Sequence, residues 1–128
     1  MRYIDSGSRD PAHALGAWLQ NELNTSVVEV RCQAGFFTSD ALGFFVPTLR
    51  RLAAGDHVVN MLIGSNEPGT LREDVLVLVK ALGLPRQNAC LGIVRYDQGF
   101  FHPKTYHLRR SDGSQCAYVG SAITGSMI

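Results

Sequence analysis

Between residues 27 and 94 the chain alternates two hydrophobic periodicities, and few folds accommodate that pattern. VVEVRCQAGFF, from Val27, is β-branched and alternating: Val28, Val30 and Cys32 fall on one face of a strand, Glu29 and Arg31 on the other. Thr38-Ser39-Asp40 then supplies cap residues for ALGFFVPTLRRLAA, a helix that ends at Gly55 and that Pro47 should kink or interrupt. HVVNMLIG, 57 to 64, reads as a largely buried second strand. Thr70 and Glu73 form a capping box that opens a third helix, which runs through LVLVKAL to the stop at Gly83-Leu84-Pro85. Strand, helix, strand, helix in succession predicts parallel pairing through right-handed crossovers.

The flanks complete the picture. Asp10-Pro11 looks like a cap followed by proline at the first helical position, and Ala14, Leu15, Trp18, Leu19 and Leu23 recur at helical spacing, giving a first helix over about 11 to 23. After the third helix, ACLGIVRY, KTYHLRR and QCAYVGS read as three strands, the last two joined as a hairpin across SDGS. The expected fold class is α/β, with a mixed, mainly parallel sheet and helices on its faces.

With 128 residues the chain suits one domain, 1–128, that buries roughly two-thirds of its unfolded surface. Hydrophobic residues at 45% against 18% charged exclude a disordered chain. Twelve basic and eleven acidic residues give a net charge of +1, so recognition of a polyanion has to be local. Ten of the twelve basic residues are arginines, whose planar fork suits phosphate. Cys32, Cys90 and Cys116 lie far apart in apolar runs, without metal-ligand spacing, and read as buried reduced thiols in a cytoplasmic protein. The sequence shows neither a secretion signal nor an apolar run long enough to cross a membrane.

Two pieces near the C-terminus carry chemistry: HPK at 102 to 104, at the start of one strand, and GSA at 120 to 122, at the end of the next. Residues i and i+2 of a strand share a face, so His102 and Lys104 can converge on one substrate atom. Pro103 between them donates no ladder hydrogen bond and marks a strand start or an edge. His107, at odd spacing from His102, points to the opposite face and reads as a cross-strand packing residue, and His57 and His13 read as surface residues.

In FHPKTYHLRRSDGSQCAYVGSAIT the chain resembles the phospholipase D superfamily, whose signature reads H-x-K, four residues, D, about six residues, then G-S-x-N. GFFTSDALGFFVPTLRRL and NMLIGSNEPGT also look like its nuclease, restriction-enzyme and helicase-associated branch. The resemblance implies a phospholipase D-like fold and a metal-independent phosphodiesterase that uses no cofactor and cleaves nucleic acid, DNA in preference to RNA. It makes His102 the nucleophile or acid, Lys104 the group that neutralises nonbridging phosphate oxygens, and Ser121 a hydrogen-bond donor to the same phosphate. Gly120, Thr124, Ser65 and Asn66 become substrate-binding positions. The family mechanism needs two histidines and one chain offers one such motif, so a homodimer is expected to complete the site. The resemblance also implies the N-terminal part of a longer protein, truncated within the fold and joined to a helicase or specificity module.

The sequence departs from the pattern at two places. Arg109 occupies the aspartate position, with Asp112 three residues later, and Ile123 stands where an asparagine is expected. Isoleucine donates no hydrogen bond to phosphate, which keeps open an alternative: a catalytically impaired module that binds nucleic-acid backbone or a protein partner. Phospholipid hydrolysis ranks third, for want of an amphipathic membrane-binding stretch.

Overall fold

The computed structural model describes residues 15–24, 26–35, 43, 45–65, 72–95 and 104–120. Three helices, α1 (Leu15–Glu22), α2 (Phe45–Ala54) and α3 (Arg72–Leu82), accompany five strands. The strands are β1 (Val27–Ala34), β2 (Val58–Gly64), β3 (Ala89–Val94), β4 (Lys104–Arg110) and β5 (Gln115–Val119). They form one sheet in the order β3-β2-β1-β4-β5. β1–β2 and β2–β3 pair in parallel, β1–β4 and β4–β5 antiparallel, so the pairings are evenly mixed rather than mainly parallel. β4 alone runs against the others and enters beside β1, at the side away from β2.

One face of the sheet carries the core. Val30, Cys32 and Ala34 of β1, Val59, Met61 and Ile63 of β2, Tyr106 and Leu108 of β4 and Tyr118 of β5 are all buried there. Leu15, Trp18 and Leu19 of α1, Phe45, Leu49 and Leu52 of α2, and Leu78 and Leu82 of α3 pack into the same cluster. Truncation of a fully buried leucine such as Leu49 to alanine costs about 2–5 kcal/mol. All three described helices lie on this one face: α2 and α3 because both β-α-β crossovers step in the same direction along the sheet, and α1 through the packing of Leu15, Trp18 and Leu19. The sheet is thus flanked by helices as expected, but on one face: among the described residues the opposite face is open. For the same reason β2 is buried on one side only, with Asn60 and Leu62 exposed on the other.

Several local expectations change as well. The β1–β4 register shifts between Val27 and Glu29, a bulge beside which Val27 is buried in the core and Val28 only half-buried, while Val30 and Cys32 are buried as the alternation predicts. Pro47 does not interrupt α2: it is the third residue of the helix, in the first turn, where no intrahelical partner for its missing N–H exists. The helix stops as the sequence indicates, but Asp56 (φ 60°), not Gly55, takes the left-handed position. Beyond it the Asn88 side-chain amide donates to the carbonyls of Ala53 (2.9 Å) and His57 (2.7 Å), tying the end of α2 to the start of β3. Gly83 (φ 65°) ends α3 where expected. The β4–β5 hairpin also forms as expected, and the Asp112 carboxylate accepts from the Ser114 N–H (2.8 Å) within its turn. Cys90 is exposed and Cys116 half-buried, so only Cys32 is a buried thiol.

Candidate functional site

The carboxyl ends of the parallel strands gather the candidate residues. β1, β2 and β3 end at Ala34, Gly64 and Val94, and the antiparallel β4 begins at Lys104, directly opposite Ala34. β5 returns to the same end, where the Gly120 N–H donates to the Lys104 carbonyl at 3.0 Å. Connections leave β1 toward β2 on one side and arrive at β4 on the other, so Lys104 stands where the strand order reverses, the location at which open α/β sheets bind ligands. A helix that follows a parallel strand presents its amino end at that strand's carboxyl end. α2 and α3 thus direct their partially positive N-termini to the end of the sheet that carries Lys104. The ring contact of Phe45, the first residue of α2, with Tyr106 (centroids 5.9 Å apart) fixes this for α2 two residues from Lys104.

Lys104 is only 3% exposed and lies on the helix-covered face with Tyr106 and Leu108. Burial strips water from its amine and pushes its pKa below the usual 10.5. Such an amine exerts a stronger field on an anion than one in water. On the same face the Cys32 thiol is buried, which drives its pKa up to about 12 and leaves it inert as a nucleophile.

The other assigned residues divide plainly. Gly120 is beside Lys104, as its hydrogen bond shows. Ser65 follows β2, where its N–H and hydroxyl both address the Val94 carbonyl (3.0 and 3.4 Å). It shares the sheet end with Lys104, but β1 intervenes, and two strand spacings amount to about 10 Å. His102, Ser121, Asn66 and Thr124, with His13, Ile123 and the Thr70 half of the capping box, lie outside the described residues. Among the described residues no group of three His, Cys, Asp or Glu side chains is placed to hold a metal, and no described helix is long and apolar enough to cross a membrane.

Strand parity accounts for the departure at Arg109. Lys104, Tyr106 and Leu108 share the helix-covered face, whereas Thr105, His107 and Arg109 occupy the open one. A side chain at 109 therefore points away from the Lys104 amine, whatever its identity. Arg109 instead donates to Glu29, which also accepts from Arg31 (3.2 Å). Burial alone raises the Glu29 carboxyl, but the hydrogen bonds and charges of the two arginines outweigh it and hold the group below its ordinary value. His107 is likewise held on the open face, with its Nε2 2.7 Å from Gln115 Oε1.

The open face itself escaped the sequence reading. It bears a cavity of about 370 Å³ lined by Arg31, Gln33, Asn60, Leu62, Thr105 and His107. The signal was present in the polar alternates of three strands, Glu29-Arg31-Gln33, Asn60 and Thr105-His107-Arg109, which no described helix covers. No protein-family model, curated protein or solved structure matches the chain.

Proposed function

We propose that the chain is a phospholipase D-like phosphodiesterase that cleaves nucleic acid, DNA in preference to RNA, by a metal-independent route in a cytoplasmic setting. The reading is supported above all by the placement of Lys104: a desolvated amine at the carboxyl end of the sheet, hydrogen-bonded through its main chain to Gly120 and close to the amino end of α2. In the proposed reaction a neutral His102 ring nitrogen attacks phosphorus. The bond to the leaving oxygen breaks with its electron pair, and a histidine from a second copy of the chain protonates that oxygen. The same histidine then takes a proton from water, whose oxygen attacks phosphorus and breaks the phosphorus–nitrogen bond. Lys104 and Ser121 stabilise the nonbridging oxygens as charge shifts onto them.

Hydrolysis of bis(p-nitrophenyl) phosphate in EDTA tests the proposal. Wild type is expected to release p-nitrophenolate, and Lys104→Met and His102→Ala to lose it by about 100-fold or more. Addition of His102→Ala chains to wild type should lower activity beyond dilution, since a mixed dimer retains one histidine of the pair. Activity that disappears with EDTA and returns with magnesium overturns the mechanism. Oligonucleotide binding without any hydrolysis favours the noncatalytic module, the outcome to which Ile123 points.

A further inference from the structure

We infer that the open face of the sheet is a second binding surface, which takes single-stranded nucleic acid one nucleotide at a time across the Arg31–His107 pair. The surface is separate from the Lys104 end and shares with the proposed activity only the class of partner. Arg31 and His107 stand directly opposite each other in the β1–β4 register, and Asn60 stands opposite Arg31 on β2. Three planar or amide-bearing side chains thus form a row across adjacent strands on the face that no described helix covers. The two planes are fixed in advance: Arg31 is held by Glu29 at 3.2 Å, His107 by Gln115 at 2.7 Å. Unstacked bases are bound on such surfaces, stacked on histidine rings or guanidinium planes, with their edges hydrogen-bonded by side-chain amides and hydroxyls. Asn60, Gln33 and Thr105, which line the same cavity, supply those groups.

Charge and size favour this occupant. Among the described residues of this face the charged groups are Glu29, Arg31 and Arg109, and the single carboxylate is already engaged by both arginines. An approaching phosphodiester therefore meets a net positive surface with no free carboxylate, and the Arg31 side chain remains 61% exposed to receive it. A cavity of about 370 Å³ admits one nucleotide unit. A duplex hides its base edges in paired stacks and presents no splayed base to enter it.

Fluorescence anisotropy with a labelled oligothymidylate of about 12 nucleotides tests the inference, measured in the His102→Ala background so that the strand persists. Arg31→Gln and His107→Ala are each expected to weaken binding about tenfold. Asn60→Asp, which puts a carboxylate beside Arg31, should do the same. Arg31→Gln should also reduce the slope of log affinity against log salt by about 0.7, the value of one lost phosphate contact. A duplex of the same sequence should bind more weakly than the single strand. Should a variant melt early, amide chemical shifts of the intact chain decide: oligothymidylate must perturb β1, β2 and β4 residues of the open face. Unchanged affinity in all three variants, or shifts confined to the Lys104 end, overturns the inference. So does a dimer that dissociates on Asn60→Asp without any strand binding, because a second copy then covers the face. Strand binding in a wild-type chain that hydrolyses no phosphodiester refutes the proposed activity but not this surface, and hydrolysis with unaffected binding does the reverse.

Discussion

Arg109 donates its Nε–H to Glu29 Oε2 at 3.1 Å, across the β1–β4 pairing in which the two residues stand opposite each other. The pair secures the antiparallel strand next to the bulge at Val27–Glu29. Glu29→Gln should lower stability by about 1 kcal/mol, at the modest end for charge-assisted bonds because both arginines are more than a third exposed and water screens them. The carboxyl is held below its ordinary 4.5 in the folded chain. Its contribution is therefore complete above that value and lost as pH falls through the lower, folded value. Urea unfolding from pH 7 downward should show the difference between wild type and Glu29→Gln shrink at acid pH, once the pH falls below 4.5 and through the folded value.

Lys104 titrates the other way. Its folded pKa lies below 10.5, so the alkaline limb of bis(p-nitrophenyl) phosphate hydrolysis should fall below pH 10.5 as the amine loses its proton. Lys104→Arg should retain some activity and move that limb upward, since a guanidinium stays protonated. Linkage adds a second readout: between the lowered value and 10.5 the unfolded chain binds the extra proton, so wild-type stability gains with pH through that window. A limb unmoved by Lys104→Arg would separate the amine from the reaction.

The Tyr118 hydroxyl is buried and has no hydrogen-bond partner among the described residues, although its ring packs against Trp18 at 5.6 Å. Tyr118→Phe keeps the ring contact and removes a desolvated hydroxyl, so stability should rise by about 1 kcal/mol. Thermal melting checks the sign. A fall would mean that the hydroxyl is satisfied in solution.

Thiol reactivity should follow exposure. In the native chain Cys90 is expected to react quickly with a disulfide reagent, and Cys116 slowly, because burial raises its pKa. Cys32, whose thiol sits at about 12, should react only on unfolding. A rapid signal that survives Cys90→Ser would contradict the burial of Cys32 or the partial burial of Cys116.

Asp56 adopts φ 60° at the end of α2, a conformation that strains an L side chain. Asp56→Gly should stabilise the chain by about 0.5–1 kcal/mol, read as a higher melting temperature.

The secondary-structure elements are legible in the sequence. Period-two alternation around Val30 and Cys32, the cap and stop residues, and Gly83 behind LVLVKAL yield the β-α-β-α-β succession, and SDGS yields the hairpin, because these signals act within a few residues of chain. It also brought Lys104 and Gly120 together, since hairpin register follows from turn length. The place of β4 in the sheet, by contrast, is set by long-range packing. Insertion of β4 beside β1 rather than β3 sets Lys104 at the reversal of strand order, buries it on the core face of the sheet and pairs Arg109 with Glu29, which is 80 residues away in sequence. Packing also leaves one sheet face open among the described residues, because two crossovers in the same direction stack their helices on the same side. Neither outcome is local: both depend on which strand edges and apolar faces meet, and those are chosen by the free energy of the whole packed sheet rather than by any short stretch of it.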